Sequence, residues 1–265
     1  MQSTIDSLLS DDRCLVVCNH SGGKDSQAMY LMLREIVSSD RLVVIHAHLP
    51  EVEWPGIVEH ISSTIDHDFY EVRAKKTFFE MVNHRGKFPS PANRQCTSDL
   101  KRGPIQKKIR HLCNDGGFNK VLNCMGLRAQ ESSARARKAP FRLVPSQTNT
   151  RRTWYEWLPI HELSTESVFQ VIEGSGQMPH WAYEKGMSRL SCCFCIMSSK
   201  EDLRTAAKLR PELFQRYVQT ERRLGFTMMM PGKNGPKYLD EIIADPIPDR
   251  SPQLALFTCG MQAQS

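Results

Sequence analysis

A short polar loop after the first apolar run has the composition of a phosphate-binding site. The loop Ser21-Gly22-Gly23-Lys24-Asp25-Ser26 follows the apolar residues 14–18 and precedes an amphipathic stretch. Two glycines let the backbone approach a ligand closely, while Ser21, Lys24 and Ser26 add donors for an anion. The spacing is not that of a Walker loop, which disfavours generic kinase or GTPase chemistry. We therefore expect a pyrophosphate site, with a plain glycine-rich turn as the alternative.

Cysteine spacing indicates a second site, with metal or thiol chemistry. Cys192 and Cys195 form a Cys-x-x-Cys pair in a loop-like context, and Cys96 lies in a similar context far upstream. Three thiolates can hold an iron-sulfur cluster and leave one iron open, whereas zinc normally takes four protein ligands. A zinc knuckle and a redox dithiol are the competing interpretations. Cys193 is an uncertain fourth ligand, because adjacent side chains tend to diverge.

Positive charge is concentrated in residues 94–152. This region holds fourteen Lys and Arg residues against three Asp and Glu, whereas the net charge of the whole chain is +6. Such a field attracts ATP, a sulfonucleotide or a nucleic-acid backbone, and its strength falls with salt. The charge pattern does not choose among these anions, and a solvated basic face is the alternative.

A second polar loop follows the expected fourth strand. It runs Gly126-Leu-Arg-Ala-Gln-Glu-Ser132, and Arg135 lies just beyond it. Arg128 and Arg135 are candidates for holding phosphates, with a structural arginine in a salt bridge as the alternative for each. Glu131 is a candidate acid, base or Mg²⁺ ligand, although pairing with these arginines is at least as favoured.

Apolar and amphipathic segments alternate along the first half of the chain, which predicts an open α/β fold. Strands are expected at residues 14–18, 42–47, 69–72 and 120–124, and helices at residues 25–38, 55–65 and 98–111. Open parallel sheets bind ligands at the carboxyl ends of their strands, where both polar loops fall. His46 and His48 alternate on the second strand, where we expect a satisfied structural role for each.

The second half of the chain has a different pattern. Helices are expected at residues 164–172, 199–209 and 211–224, and residues 230–265 are rich in Pro and Gly and expected to be irregular. We therefore divide the chain into a nucleotide-binding domain, residues 1–163, and a mainly helical region with the cysteine loop, residues 164–265.

The composition is that of a soluble globular protein. Apolar residues make up 40% of the chain, and no apolar run is long enough to span a membrane. Residues 1–6 lack the features of a secretory signal, so we expect a cytoplasmic protein. An odd number of cysteines, nine, in a reducing compartment argues against a disulfide framework. Core packing is expected for Cys14, Cys18, Cys113 and Cys124.

Taken together, the motifs resemble those of the phosphoadenosine phosphosulfate (PAPS) reductase-like family of the PP-loop ATP pyrophosphatase superfamily. They are the loops at residues 21–26 and 126–132, His46-Ala-His-Leu-Pro-Glu-Val-Glu-Trp-Pro-Gly56, Arg94-Gln-Cys-Thr-Ser-Asp-Leu-Lys101, Trp157-Leu-Pro-Ile-His161 and Ser188-Arg-Leu-Ser-Cys-Cys-Phe-Cys195. The family is related to adenylyl-sulfate reductases and to the DNA phosphorothioation sulfurtransferase.

The resemblance implies a fold and a set of site residues. The fold is the adenine nucleotide alpha hydrolase-like PP-loop fold, a parallel sheet flanked by helices, with a mainly helical C-terminal region that carries the metal-cluster loop. The nucleotide phosphates would lie on residues 21–26, with further nucleotide contacts around Gly126 and Arg128. The ligands of a [4Fe-4S] cluster would be Cys96, Cys192 and Cys195.

Departures from the family favour ATP cleavage over sulfonucleotide reduction. Sulfonucleotide reductases typically relax the phosphate loop, and those with a cluster have two adjacent cysteines where this chain has Gln95-Cys96. We expect an enzyme that adenylates a substrate with ATP and Mg²⁺ and supports sulfur transfer. A thiol-dependent sulfonucleotide reductase is the alternative, because Cys259-Gly260 resembles the Cys-Gly of reductases. A non-catalytic nucleotide- and cluster-binding DNA regulator is the third hypothesis.

These expectations assign roles to individual residues. Catalysis is assigned to Lys24, Asp25, Arg128 and Glu131. Nucleotide binding is assigned to Ser21, Gly22, Gly23, Lys24, Asp25, Ser26, Gly126, Arg128 and Arg135. Metal binding is assigned to Cys96, Cys192, Cys195 and, as the uncertain ligand, Cys193. The expected partners are an adenine nucleotide, a nucleic acid at residues 94–152, and a sulfur donor protein or thiol reductant; a homo-oligomer is compatible, and no membrane contact is expected.

Overall fold

Six strands form one sheet in which a single edge strand runs antiparallel. In the computed structural model, which describes residues 2–233 and 235–244, the strands are β1 (Cys14–Asn19), β2 (Leu42–Ala47), β3 (Phe69–Val72), β4 (Lys120–Met125), β5 (Phe141–Leu143) and β6 (Thr153–Trp157). Their order is β3-β2-β1-β4-β6-β5, and β5 pairs antiparallel with β6. The four strands expected from the sequence are confirmed, with one added residue at the ends of β1 and β4.

Helices cover both faces of the sheet. They are α1 (Gln2–Leu9), α2 (Lys24–Ile36), α3 (Ile57–Ser63), α4 (Phe78–Arg85), α5 (Gln95–Thr97), α6 (Gly103–Gly116), α7 (Ser133–Ala136), α8 (Thr165–Gly174), α9 (Lys200–Leu209), α10 (Pro211–Leu224) and α11 (Leu239–Ala244). A parallel sheet flanked by helices, followed by a helical C-terminal region, is the architecture that the sequence predicts.

The central strand β1 is buried on both faces. Val16 and Cys18 join the core that includes α2, whereas Leu15 and Val17 join the core that includes α6. Parallel strands with both faces covered have continuous apolar sequences, which explains why this strand is readily predicted. The cysteines assigned to core packing are all buried: Cys14, Cys18, Cys113 and Cys124.

The topology places the two polar loops side by side. Strands β2 and β3 lie on one side of β1 and β4 lies on the other, so the sheet has its switch point between β1 and β4. Open α/β sheets bind ligands in the crevice at such a point. Asn19 at the end of β1 is in register with Met125 at the end of β4. The loops that follow these strands are therefore neighbours.

The helical segment that begins at Gln95 changes its hydrogen-bonding pattern before Pro104. Proline has no N–H, and its ring crowds the carbonyl group four residues earlier, here that of Leu100. The Gly103 N–H donates instead to the Ser98 carbonyl, five residues back, which produces the π-helical turn Ser98–Arg102 between α5 and α6. The helix predicted at residues 98–111 thus begins earlier and ends later.

Some elements differ from the sequence expectation. Helices α1 and α4 and strands β5 and β6 were not predicted, because each is short and their flanking sequence is polar. The expectation of irregular structure from residue 230 onward is wrong at α11. Leu239 and Ile242 of this helix are buried, and the Leu239 N–H donates to the buried carboxylate of Glu221.

One hydrophobic core crosses the domain boundary drawn after residue 163. Helix α8 packs against α2, and Val168, Leu203 and Tyr217 share a core with Val16 of β1. The two parts of the chain on either side of residue 163 therefore share one core. Their division into two domains stays a prediction. Within residues 2–233 and 235–244, no helix has both the length and the apolar character needed to cross a membrane.

Candidate nucleotide and thiol site

The phosphate loop, residues 21–26, is held in shape by its own hydrogen bonds. The Ser26 hydroxyl donates to the Gly23 carbonyl at 2.8 Å and accepts from the Ser21 N–H at 3.1 Å. Gly22 has a φ of 76°, a left-handed conformation that favours glycine, and its N–H donates to His20 Nδ1. Gly23 is the N-cap of α2 and makes no side-chain cap hydrogen bond. The N-terminus of α2 is thus shaped for an anion.

Lys24 connects the phosphate loop to the cysteine segment, which we define as residues 175–199 between α8 and α9. Its backbone N–H donates to the Tyr183 hydroxyl at 3.0 Å. Its ammonium group lies 3.4 Å from the Ser188 carbonyl oxygen and 3.5 Å from Asp25 Oδ2. The side chain is nearly buried, 4% exposed. The segment that carries Cys192 and Cys195 therefore lies directly over the phosphate loop.

Arg128 joins the two polar loops. Its Nε donates to Asp25 Oδ1 at 2.6 Å, and its terminal nitrogens donate to the Leu163 carbonyl and the Thr165 hydroxyl. The side chain is 3% exposed. Arg128 therefore has the geometry of a structural arginine, the alternative to a phosphate-binding one. Its guanidinium group binds protein partners and fixes the position of Asp25.

Glu131 and Arg135 form an ion pair one helical turn apart. Glu131 Oε2 also accepts the Arg128 backbone N–H at 3.0 Å, so the carboxylate holds the loop together. Glu131 thus pairs with Arg135, which is the alternative to a catalytic role for this carboxylate. Both side chains keep partial exposure, about a fifth of each, so a ligand could still reach them.

The three assigned cysteine ligands lie on two separate segments of the chain. Cys96 lies on α5, and Cys192 and Cys195 lie in the cysteine segment. Burial raises the pKa of the Cys96 thiol, and the neighbouring Cys195 raises it further. Burial raises the pKa of Cys192 as well; Lys101 opposes that rise, while Cys195, Glu53 and Cys96 add to it. The three thiols and the Lys101 ammonium group therefore lie within electrostatic range of one another. A shared metal centre at these cysteines stays a prediction.

Cys193 faces a different set of groups. Its Sγ lies 3.8 Å from an Arg210 nitrogen, and its N–H donates to the Val52 carbonyl at 2.8 Å. The side chain is fully buried, and burial raises the pKa of its thiol to about 12. This orientation favours a set of three cysteine ligands over a set of four.

A buried tyrosine packs against the cysteine segment at Phe194. Tyr217 of α10 is fully buried, and its hydroxyl has no hydrogen-bond partner among the described residues. Its ring packs against those of Phe78, Phe79, Phe88 and Phe194. Burial raises the pKa of Tyr217, and Cys192 and the other three site cysteines add to that effect. An unpartnered hydroxyl in this position could donate to a sulfur ligand.

A group that sequence analysis did not assign to a site lies at the end of β2 and in the loop that follows it. His46 Nε2 and His48 Nδ1 lie 3.2 and 3.0 Å from Glu53 Oε2. Burial alone would raise the pKa of Glu53, but its contacts with both histidines and the charge of Lys101 hold it well below its usual range. Both histidines have the partners expected of structural residues. The available signal for Glu53 was a carboxylate five residues after His-x-His.

Much of the positive charge in residues 94–152 is used within the chain. Ion pairs or buried hydrogen bonds engage Lys101, Lys120, Arg128, Arg135, Arg142 and Arg152. A different surface, the basic groove, lies between α4 and α6 and has a cavity volume of about 560 Å³. Its cationic residues are Arg73, Lys75, Lys76, Arg85 and Lys107, with Asp99 as the one acid. Lys107 is the only one of these cations that lies in residues 94–152.

The fold and the loop define a class of protein. An open α/β sheet with a glycine-rich loop between its central strand and an uncapped helix is the arrangement of a PP-loop nucleotide-binding protein. Residues 15–198 match the sequence profile of the phosphoadenosine phosphosulfate reductase domain. The match covers more than half of the chain, so the protein belongs to this family. The resemblance found in the motifs is confirmed.

Individual relatives are more distant. An uncharacterised 37.8 kDa protein of Escherichia phage 186 is 27% identical over 172 residues, which are 63% of this chain and 50% of the relative. An uncharacterised protein of Methanocaldococcus jannaschii is 24% identical over 211 residues, 78% of this chain and 47% of the relative. The chain thus spans about half the length of the curated relatives it matches. A PAPS reductase structure from Candida auris, solved as a phosphate complex, aligns with a TM-score of 0.45 and 11% identity over 72% of this chain and 86% of that one.

Proposed function

We propose that the protein is an ATP pyrophosphatase-type enzyme that adenylates a substrate and supports sulfur transfer. The observation that carries this proposal is the contact between the phosphate loop and the cysteine segment. The Lys24 N–H donates to Tyr183, and the Lys24 ammonium group reaches the Ser188 carbonyl, four residues before Cys192. A group activated on the nucleotide would therefore form beside the segment that carries Cys192 and Cys195.

The phosphate loop is the proposed site for the β- and γ-phosphates of ATP. The uncapped N-terminus of α2 offers backbone N–H groups, and the helix dipole favours negative charge there. Lys24 adds a cation in a nearly water-free setting, where a charge-assisted hydrogen bond is strong. Mg²⁺ would share the charge of the departing pyrophosphate.

The proposed reaction has two displacement steps. An oxygen atom of the substrate attacks the α-phosphorus of ATP, the bond to the bridging oxygen breaks, and pyrophosphate leaves with the electron pair. A sulfur nucleophile then attacks the activated atom of the substrate, and AMP leaves with the former substrate oxygen. Lys24 and the N–H groups of α2 stabilise the negative charge of the pyrophosphate as it forms.

Positioning is the role we propose for Asp25 and Arg128. Because Arg128 bonds to Asp25, Leu163 and Thr165, it locks the loop after β4 to the start of α2. Nucleotide contacts from this loop would come from the backbone around Gly126. Glu131 and Arg135 would take part in binding only after their ion pair opens.

Cys96, Cys192 and Cys195 fit the three-thiolate ligand set of a [4Fe-4S] cluster. Lys101 places positive charge beside them, and the unpartnered Tyr217 hydroxyl supplies a donor for sulfur. Such a cluster would keep one iron available to bind a sulfur atom. Zinc fits less well: a tetrahedral zinc site needs sulfurs about 3.8 Å apart, and in the described residues no three cysteine sulfurs lie within 4.8 Å of one another.

A nucleic acid is the substrate class that we propose, and the basic groove is its proposed binding surface. The groove carries five cationic side chains and opens along the start of α6, close to Gln95 beside Cys96. Phosphate backbones are bound by such clusters of Lys and Arg. A strand lying in the groove would approach the cysteines, and a sulfur donor protein or thiol reductant would supply the sulfur or electrons.

A thiol-dependent sulfonucleotide reductase is the second candidate function. The family match favours it, since the matched profile is that of the PAPS reductase domain. Its expected nucleophile, Cys259, lies outside the described residues. The third hypothesis, a non-catalytic regulator of DNA, requires nucleotide and nucleic-acid binding without turnover.

The experiment that tests the proposal begins with anaerobic purification and measurement of iron and sulfide per chain. Pyrophosphate and AMP release from ATP is then followed with single-stranded nucleic acid and a sulfide source. We expect release that depends on the acceptor and is lost in Lys24→Ala. Sulfite release from PAPS with a thiol reductant, and no pyrophosphate from ATP, would support the reductase instead. Binding without either product would support the regulator.

A further inference from the structure

We propose that His46, His48 and Glu53 bind a divalent transition-metal cation of the zinc or iron(II) type. The ligand atoms converge just beyond the end of β2, where His46 Nε2 and His48 Nδ1 approach the same carboxylate oxygen, Glu53 Oε2, at 3.2 and 3.0 Å. All three atoms lie within 4.8 Å of one another. Among residues 2–233 and 235–244, no other three His, Cys, Asp or Glu side chains converge in this way.

The spacing of these atoms matches a shared cation. Nitrogen and oxygen ligands lie about 2.0–2.2 Å from zinc, so two ligands at right or tetrahedral angles are about 3.0–3.5 Å apart. Two imidazoles and one carboxylate form a ligand set that both zinc and iron(II) accept, with positions left open for water or substrate. This site would differ from that of nucleotide-bound Mg²⁺, which prefers oxygen ligands.

The second ring nitrogen of His46 determines what its Nε2 can do. Nδ1 lies 2.9 Å from the backbone carbonyl oxygen of His20, which only accepts, so Nδ1 carries a proton. In a neutral ring, Nε2 then directs a lone pair at Glu53 Oε2. Two acceptors in contact repel each other unless a proton or a metal cation lies between them. Metal-binding histidines commonly donate their other N–H to a backbone carbonyl, as here.

The carboxylate is also held for this role. The Leu49 N–H donates to Glu53 Oε2 at 2.9 Å, while Lys101 Nζ lies 3.7 Å from the other oxygen, Oε1. Lys101 therefore does not occupy the position between the histidines and Oε2. His48 lines a cavity of about 120 Å³ through which a cation could enter.

The proposed cation would lie close to the phosphate loop. His20, whose carbonyl accepts from His46, also accepts the Gly22 N–H through its own Nδ1. The proposal does not depend on the proposed function, because metal binding is measured without turnover. Its failure would leave the nucleotide chemistry untouched.

Co²⁺ binding to the purified full-length chain tests the site, since the spectrum of Co²⁺ reports its ligands. Thiolate ligands add intense near-ultraviolet bands that imidazole and carboxylate ligands lack. In a Cys192→Ser background, we expect one Co²⁺ per chain, competed by Zn²⁺, with visible bands but no thiolate bands.

Two variants and a control make the test specific. Glu53→Gln keeps an acceptor for Leu49 but removes the charge, and should weaken Co²⁺ binding at least about 100-fold. His48→Asn, at the half-buried edge, should do the same if Glu53→Gln fails to fold. Glu51→Gln is the matched control, because that carboxylate pairs with Arg216. No stoichiometric Co²⁺, or equal binding by Glu53→Gln and Glu51→Gln, would show that a proton, and no metal, joins the pair.

Discussion

Gly126 shows how a single residue sets the distance between the two polar loops. A Cβ added there would lie 3.0 Å from the backbone carbon and oxygen of Asp25 and 3.1 Å from the Ser26 nitrogen. Backbone atoms at the start of α2 cannot move aside as a flexible side chain can. Glycine at this position therefore lets the loop after β4 contact the phosphate loop directly.

Gly126→Ala should lower the free energy of unfolding by about 1–3 kcal/mol, because the added methyl group overpacks two backbone segments. It should also weaken nucleotide binding, since the phosphate loop must shift. Gly174→Ala is the control, because a Cβ there meets nothing within 4 Å. Urea unfolding and nucleotide titration of both variants measure the effects. Equal stability of the two variants would contradict the close contact.

The sequence predicts residues better than it predicts their partners. The residues of the phosphate loop were predictable because Gly, Lys and Ser at that spacing have few other uses. The contact of Lys24 with Tyr183 was not, since it joins residues far apart in sequence and depends on how the cysteine segment folds. The group around Glu53 was missed for a related reason: His-x-His on a strand is usually structural, and the converging carboxylate lies in the next loop.

At the scale of elements, two unlike segments form the thiol site. Helix α5 carries Cys96, and the cysteine segment carries Cys192 and Cys195 without regular structure of its own. The π-helical turn after α5 follows from Pro104 and places Lys101 near Glu53. Such turns are often found at functional sites. Sequence analysis located the cysteines, but it predicted an ordinary helix there.

Cys96→Ser should lose visible absorption and iron, because it removes one of three cluster ligands. It should also lower the free energy of unfolding by at least about 2 kcal/mol, because metal-site energy is folding energy. Cys193→Ser makes the same substitution one residue from a proposed ligand, at a side chain that faces Arg210, and should keep its iron. Equal iron content in the parent and Cys96→Ser would contradict the cluster. Loss of iron in Cys193→Ser would make that residue the fourth ligand.

A second contact of the cysteine segment predicts acid sensitivity. His180 packs edge-on against His60 of α3, with ring centroids 5.1 Å apart. Burial lowers the pKa of His180 to about 4, and the nearby His60 adds to this effect. In the unfolded chain His180 binds a proton near pH 6.5, whereas in the folded chain it stays neutral down to about pH 4. The free energy of unfolding is therefore retained above pH 6.5 and falls as the pH drops toward 4.

We expect the free energy of unfolding to fall by about 1–2 kcal/mol between pH 7 and pH 5 through His180 alone. His180→Asn removes the titrating ring and should flatten this part of the pH profile, whatever its stability at pH 7. Urea unfolding at both pH values, in parent and variant, measures the difference. The same pH slope in both proteins would show that folding does not lower the pKa of His180.

At the scale of the whole molecule, positive charge gathers where the fold brings separate elements together. The residues before α4, those at its end and those at the start of α6 meet in the basic groove. Counting charged residues in the sequence assigned the positive surface to residues 94–152. A count does not show which cations are paired with other residues of the chain. The sequence predicted an open parallel sheet, because apolar strands alternate with helices along the chain. The position of the groove depends on packing between α4 and α6.

The double substitution Lys75→Glu with Lys107→Glu should weaken binding of single-stranded nucleic acid and reduce its salt dependence. Each lost phosphate contact should lower the slope of log affinity against log salt by about one. The control is Lys208→Glu, a charge reversal on the exposed side of α9, which should leave the slope unchanged. Fluorescence anisotropy over a salt series measures the slope. An unchanged slope in the double variant would exclude the groove.

The claim that the phosphate loop holds the β- and γ-phosphates of ATP is tested most directly by comparing ATP and PAPS binding in the parent and in Lys24→Ala. At fixed salt, with Lys208→Ala as the control, the loss of one charge-assisted contact should cost ATP about 1.5–3 kcal/mol, or roughly 10- to 150-fold in affinity. PAPS, which lacks those two phosphates, should lose much less. Tight PAPS binding and weak ATP binding by the parent, with Lys24→Ala equally harmful to both, would contradict the account.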